Sequence, residues 1–317
     1  MIRYLTQDEI DKTRWDDCIK HAFNGLAYGY SWYLDLVSPG WEALVEDDYS
    51  RIFALTCRSK WGIRYLYQPF FTQQLGVFSR DILNGDVVDN FIRAIPSHYR
   101  FAEINLNVHN KIDPRRYDTV AMLNHELDLI NSYDGLYKHY SQNTRRNIKK
   151  AMTAGVSIFK NLKPEEVIDL FRKNKGKEIA TLRSKDYAML KRVVYTCIHK
   201  GLAQVWGAYT EANDLCAGAI FVFSHRKAVF LFSATNAIAR ENGAMSLLIS
   251  TFIKENAGSH LTLDFEGSND PDLARFYKSF GSTEVHYPHL RFDRLPVVVS
   301  VGVRVVKGIR KFIRKRI

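Results

Sequence analysis

The spacing of apolar and polar positions changes repeatedly along the chain, and each change marks an element. Alternation and short apolar runs predict strands at IRYL near the start, then at WEALVE, RIFALTCR and IRYLY, which are rich in aromatic and branched residues. Helical spacing predicts helices over residues 8–20, over SWYLDLV with Ser31 as its cap, and over GDVVDNFIRAI, which Pro96 terminates. RFAEINLNV and TVAMLNHELDLI read as strands again. The longest helix of this half is expected over residues 134–154. There Tyr137, Tyr140, Thr144, Ile148, Ala151 and Met152 share one stripe, and Gly155 supplies the stop.

The second half repeats the plan. PEEVIDLFRKNKGKEI is a helix with Pro164 in its first turn, where a missing N–H costs nothing, and KDYAMLKRVVYTCIHKG is a second. Strands AQVWGAY, LCAGAIFVFS and KAVFLFSA follow, then helix ENGAMSLLISTFIKENA, strand HLTLDFEGS, helix DPDLARFYKSF and strand EVHYPHLRF. Helices, an antiparallel meander, then helix–strand–helix–strand: this order resembles an acyltransferase domain of the GNAT type, and the first half is a more degenerate copy. The expected fold class is mixed α+β, with GNAT-like domains at 1–133 and 156–293. A basic helix at 134–155 joins them, and a basic amphipathic tail occupies 294–317.

A length of 317 residues suits two such domains, and 46% hydrophobic with 25% charged residues is a globular composition. The four cysteines form no CxxC pair, which argues against a zinc ribbon or a disulfide framework and for a reducing compartment. No apolar run opens the chain and none reaches the ~20 residues of a membrane span, so a cytoplasmic location is expected. The net charge of +11 is uneven: after Asp293 come eight cations and no acid. The body is therefore only mildly basic, and DNA is not expected as a partner. In the tail, Val305, Val306, Ile309, Phe312, Ile313 and Ile317 follow helical spacing with cations opposite, which suits the inner face of an anionic membrane. The plainer reading is a basic terminus or a helix packed on the body.

Three stretches carry a resemblance to a known family: YSQNTRRNIKKAMTAGV at the junction, ATNAIARENGAMSLLISTFIKENA, and LDFEGSNDPDLARFYKSFGS. With YQPFFTQQLGVFS in the first half, their order resembles the FemABX peptidoglycan aminoacyltransferases and the related FemAB-like, CelD-like tandem proteins. The long coiled-coil insertion of some bridge-forming members is missing. The resemblance implies N-acyl or aminoacyl transfer to an amine of a phosphorylated, peptidoglycan-like envelope precursor. The donor is acyl-CoA or aminoacyl-tRNA, with no tightly bound cofactor. Two alternatives stand beside it: acetyl-CoA-dependent N-acetylation of an amino sugar on a polysaccharide or glycolipid, and a silent precursor-binding scaffold.

The candidate catalytic residues lie in the third stretch. Asp264 and Glu266 alternate with Leu263 and Phe265, so both carboxylates are expected on one face at a strand's end, where a carboxylate can orient or deprotonate an amine. Lys278 matches the family's functional lysine before Phe-Gly, which implies a role in neutralising an oxyanion or a donor phosphate. The plainer reading makes Asp264 a cap of the next helix or the partner of an arginine, and Lys278 an exposed helix cation. For Arg145 and Arg146 the resemblance implies grip on a substrate diphosphate, which suits the planar guanidinium fork. Lys149 and Lys150 read as a solvated face. Arg240 and Gly243 fit the GNAT turn that presents a helix N-terminus to the pyrophosphate of CoA, although Met245 stands where a small residue is usual; the plainer reading is a helix start. No histidine has a partner at metal-ligand spacing, and no GxSxG or Cys–His signature appears. Direct attack without a covalent enzyme intermediate, and without a metal, is expected.

Overall fold

The computed structural model describes residues 1–179 and 181–295. The first half holds β1 (Ile2–Leu5), α1 (Lys12–His21), α2 (Ser31–Val37), β2 (Glu42–Glu46), β3 (Arg51–Leu55), β4 (Cys57–Lys60) and β5 (Ile63–Tyr67). It continues with β6 (Val77–Ser79), α3 (Gly85–Arg93), β7 (Tyr99–Asn105) and β8 (Asp118–Asp128). Asp11 caps α1 by accepting from the Thr13 and Arg14 amides. Ser31 does not cap α2 as the sequence suggested: it is the first helical residue, and its own N–H and hydroxyl both donate to Asp16. RIFALTCR is two strands rather than one. β3 and β4 lie in different sheets, and Thr56 between them turns its hydroxyl to the Tyr67 carbonyl.

The junction also divides. Residues expected as one helix form α4 (Tyr133–Tyr137) and α5 (Gln142–Thr153). Ser141 causes the break: its hydroxyl accepts from Thr144 N–H at 3.1 Å and its own N–H donates to the Ser279 carbonyl at 2.8 Å. The expected stripe survives at Tyr140, Thr144, Ile148 and Ala151, all buried, but Met152 is exposed. Beyond it come β9 (Ser157–Lys160), α6 (Pro164–Lys173), α7 (Ser184–His199), β10 (Ala203–Tyr209), β11 (Leu215–Ser224) and β12 (Lys227–Thr235). The last elements are α8 (Ala237–Asn242), α9 (Ala244–Asn256), β13 (Thr262–Asp264), α10 (Pro271–Lys278) and β14 (Thr283–Asp293). The amphipathic tail, apart from Arg294 and Leu295, lies outside the described residues.

Two sheets organise these elements. A small one runs β1-β2-β3-β6, and a ten-stranded one runs β4-β5-β7-β14-β8-β13-β12-β11-β10-β9. In each half an antiparallel run leads into a parallel pair, β5 with β7 and β12 with β13, and the fold is α+β with two GNAT-like units in tandem. The halves interlock. β14, from the end of the chain, inserts between β7 and β8, while β8 of the first half pairs with β13 of the second. Sequence-local patterning cannot reveal such an exchange, because an antiparallel strand carries the same alternation whichever partner it takes.

Strand alternation sends Val205, Ile220, Val222 and Val229 to one face, against α6, α7, α1 and α2. Trp206, Phe221, Phe230 and Leu263 point to the other, against α5, α9 and α10, where Phe221 stacks on Phe252 at 3.8 Å. The first face is thus the one on which the two halves meet.

Candidate active site

β12 and β13 pair only from Lys227↔Thr262 to Val229↔Asp264, and β12 then runs on to Thr235. The two strands part because Phe265 donates its N–H to the His125 carbonyl at 3.0 Å, drawing the chain toward β8 and away from β12. Opposite the parting, the register between β11 and β12 slips at Ile220/Phe221, so Leu231 is the extra residue of a bulge. Past Val229, therefore, β12 carries an edge of backbone donors and acceptors with no strand beside it among the described residues. Ligands collect at such places.

Glu266 stands in this opening. It is not on the strand, as alternation suggested, because β13 stops at Asp264. Glu266 has φ +51° and Gly267 φ +56°, so two consecutive left-handed residues make the turn, and the Asp264 carboxylate braces it by accepting Glu266 N–H at 3.1 Å. A non-glycine residue in this region costs about 1–2 kcal/mol, and such strain gathers where a side chain must be aimed. The Tyr28 hydroxyl, from the first half, donates to Glu266 Oε1. Burial pushes the Glu266 carboxyl up to about 8. Tyr277, stacked on Phe265 at 4.8 Å, and Tyr287, which burial lifts to about 12, both feel the Glu266 charge.

Asp264 has a different neighbourhood. It is buried, accepts from Asn124 Nδ2 at 2.9 Å, and lies 3.6 Å from the Lys227 ammonium, which also meets Glu126 at 2.5 Å. The two carboxylates hold Lys227 above the usual lysine range despite its desolvation, while burial raises Glu126. Glu126 belongs to the first half and its two partners to the second, so the triad pins the exchanged strand β8. Asp264 is an ion-pair partner here, of a lysine rather than an arginine.

Lys278 falls elsewhere. Glu284 pairs with His125 across β14 and β8, and Asp264 pairs with Glu126 across β13 and β8. Neighbours along a strand point to opposite faces, so Lys278, bound to Glu284 at 2.8 Å, is on the far face of the sheet from the Asp264 carboxylate. It is exposed and lines a cavity of about 460 Å³ with Arg275, Asn269, Glu284 and His125. His125 is 1% exposed, and neither ring nitrogen has a hydrogen-bond partner. The candidate trio is therefore two sites: Glu266 with Asp264 on the interdomain face, and Lys278 on the outer one.

The remaining candidates are on α5 and at the start of α9. Arg145 donates to the Lys138 carbonyl at 2.7 Å and Arg146 to Asn143 Oδ1 at 2.7 Å; both are exposed, as are Lys149 and Lys150. Gly243, at φ +80°, ends α8 and opens α9. A Cβ there would stand 2.5 Å from the Asn147 carbonyl oxygen, so the missing side chain lets α5 approach the turn. Ala244 N–H is already held by Asn242 Oδ1 at 2.9 Å, and Met245 is buried in the core beneath. Arg240 is exposed.

No family model and no curated protein matches the chain. Solved structures do. The crystal structure of FemX superposes with a TM-score of 0.64 at 12% identity, covering 91% of this chain and 97% of that one. The chain has the fold of FemX. The C-terminal domain of a putative lysylphosphatidylglycerol synthetase from Agrobacterium fabrum matches with a TM-score of 0.53 at 10% identity, over 93% of this chain and 95% of its own. L-PGS from Bacillus licheniformis matches with a TM-score of 0.53 at 10% identity, over 94% and 96%. The FemABX-like resemblance seen in the sequence is thus matched by a FemX-like path of nearly the whole chain.

Within this FemX-like fold, sequence reasoning missed Tyr28, Lys227, Glu126 and His125. A signal existed for three of them. Lys227 opens the otherwise apolar KAVFLFSA, and His125 and Glu126 interrupt MLNHELDL. Charged or titratable residues inside strands that are otherwise buried call for partners. Tyr28 carried no such mark.

Proposed function

We propose that the protein transfers an acyl or aminoacyl group to an amine of a cell-envelope precursor, by direct attack in the opening between β12 and β13. Glu266 carries this reading: a half-buried carboxyl, raised to about 8, held in a left-handed turn at the strand end where the sheet opens. An amine attacks a carbonyl only as the neutral species, so a base of that strength takes the proton as the C–N bond forms. The open backbone edge of β12 offers N–H groups to the developing oxyanion. Collapse of the tetrahedral species then breaks the bond to the CoA sulfur or the tRNA ribose oxygen, and the leaving group takes up the proton that Glu266 removed from the amine. The likeness to FemX supports an envelope acceptor. Exposed Arg145 and Arg146 are the proposed contacts for its phosphates, and Lys278 the proposed contact for a donor phosphate or oxyanion.

The alternative, acetyl transfer from CoA to an amino sugar with Arg240 and Gly243 at the pyrophosphate, has less support. Gly243 and Ala244 N–H already serve the packing and capping of α8, α9 and α5. Incubation with acetyl-CoA or aminoacyl-tRNA, each with a UDP-linked muramyl peptide, and mass analysis of the acceptor separates the donors. Glu266→Gln is expected to slow transfer about 100-fold or more; a Gln variant with full activity removes Glu266 from the mechanism. Absence of transfer from both donors, with tight binding of the acceptor, selects the scaffold.

A further inference from the structure

At the far edge of the large sheet, β4 and β5 are joined by a two-residue turn, Trp61–Gly62, closed by the pair Lys60↔Ile63. Both turn residues are left-handed, at φ +53° and +74°, the conformation of a type I′ turn. Asparagine, aspartate or glycine normally takes the first position, and a bulky residue there is strained by about 1–2 kcal/mol. Among the described residues only the Lys60 ammonium meets the ring. Trp61 is 81% exposed, and a Cβ on Gly62 would meet no atom within 4 Å, so the tip projects freely into solvent.

The hairpin is also positive. Thr56–Tyr67 contains Arg58, Lys60 and Arg64 and no acid. Arg64 turns inward to Glu42, whereas Arg58 and Lys60 are exposed, with the Arg58 guanidinium 4.0 Å over the Tyr67 ring and the Lys60 ammonium 4.3 Å over the Trp61 ring. Cations on an edge strand have a plain use, to prevent edge-to-edge pairing. That use runs against a bare indole at the tip.

Asp293 pairs with Phe101, and Phe101 with Tyr65, so β14 ends level with the middle of β5. Arg294 N–H then donates to the Arg100 carbonyl at 2.7 Å, continuing toward the end of the sheet that carries Trp61. β14 is two strand spacings from β5, about 10 Å. The sequence that departs there has eight cations from Arg294 onward, no acid, and valine, isoleucine or phenylalanine at eleven positions.

We propose that this end of the sheet docks on an anionic membrane, with Trp61 entering the headgroup region and Arg58 and Lys60 contacting lipid phosphates. Indole rings favour the membrane–water interface. Each cation near an anionic surface contributes about 1 kcal/mol, and an inserted indole with flanking cations holds where either alone does not. A polyanion such as RNA uses the cations, but a projecting tip is not a groove for stacked bases. The inference stands apart from the acyl-transfer reading.

Co-sedimentation of the full chain with vesicles of phosphatidylcholine, alone and mixed with phosphatidylglycerol, tests it. Binding is expected only to the mixed vesicles, and brominated lipid is expected to quench tryptophan emission. Trp61→Ala and the pair Arg58→Glu, Lys60→Glu are each expected to weaken binding about 10-fold, with cooperative thermal unfolding retained because all three side chains are exposed and give up only ring contacts at the surface. Quenching should vanish in Trp61→Phe. Undiminished binding by Trp61→Ala, quenching that persists in Trp61→Phe, or equal binding to neutral vesicles overturns the proposal. So does Trp61-dependent binding to tRNA in place of vesicles. Transfer to a water-soluble acceptor without vesicles should be the same in Trp61→Ala and in the unaltered protein, which separates failure of docking from failure of catalysis.

Discussion

The Tyr28 hydroxyl donates to Glu266 Oε1 across 238 positions of sequence, joining the first half of the chain to the strained turn in the second. The contact places a carboxyl that is neutral below about pH 8 at the meeting of the two halves.

Its ionisation sets a pH dependence of known sign. Folding lifts the Glu266 carboxyl from 4.5 to about 8, so between those values the folded state keeps a proton that the unfolded chain has lost. Stability from this group therefore falls as pH rises through that window. Glu266→Gln removes the loss, and its melting temperature should exceed that of the unaltered protein at pH 8.5 but not at pH 4.5. A pH-independent difference between the two proteins counts against the assignment. The rate of acyl transfer should rise with pH toward a plateau above about 8.

Lys227 answers two carboxylates, Asp264 and Glu126, in a largely buried site. Lys227→Met leaves them without a counter-charge and should cost about 3–5 kcal/mol in urea unfolding at pH 7.5. The cost should shrink in acid, where the carboxylates take up protons. Adding Glu126→Gln and Asp264→Asn to Lys227→Met should restore most of the stability.

His125 is held below the usual histidine range, chiefly by burial, with both ring nitrogens unpartnered. Below about pH 6.5 the unfolded chain gains a proton that the folded state refuses, so this group's share of stability is lost as pH falls. His125→Leu should stabilise the protein by about 1–3 kcal/mol, with a gain that grows from pH 7 to pH 5 by thermal melting. A histidine resonance that titrates normally at this position would contradict the geometry.

Gly243→Ala tests what the turn before α9 is for. A methyl group 2.5 Å from the Asn147 carbonyl oxygen, at φ +80°, should cost about 1–3 kcal/mol in urea unfolding. If the glycine serves packing alone, KM for the acyl donor should change less than twofold at temperatures where the variant is folded.

Much of the molecule was legible in the sequence. Periodicity located the strands of the meander, the helices and even the buried stripe at Tyr140, Thr144, Ile148 and Ala151, because burial of one face repeats at 2.0 or 3.6 residues whatever the tertiary partner. The strand stop after Asp264 and the helix break at Ser141 were not legible. Each depends on a hydrogen bond to a distant element, from Phe265 to His125 and from Ser141 to Ser279.

The sequence by itself determined most of the elements, the tandem plan and the chemical types gathered around residues 264–281. Only the tertiary structure decided which of those groups meet. β8 lies between β13 and β14, so its consecutive residues His125 and Glu126 look to opposite faces. That alternation puts Lys278 with Glu284 on one side and Asp264 with Lys227 on the other. Spacing along a chain fixes a residue's face within its own element, but which neighbour fills the next place in the sheet is settled by long-range pairing.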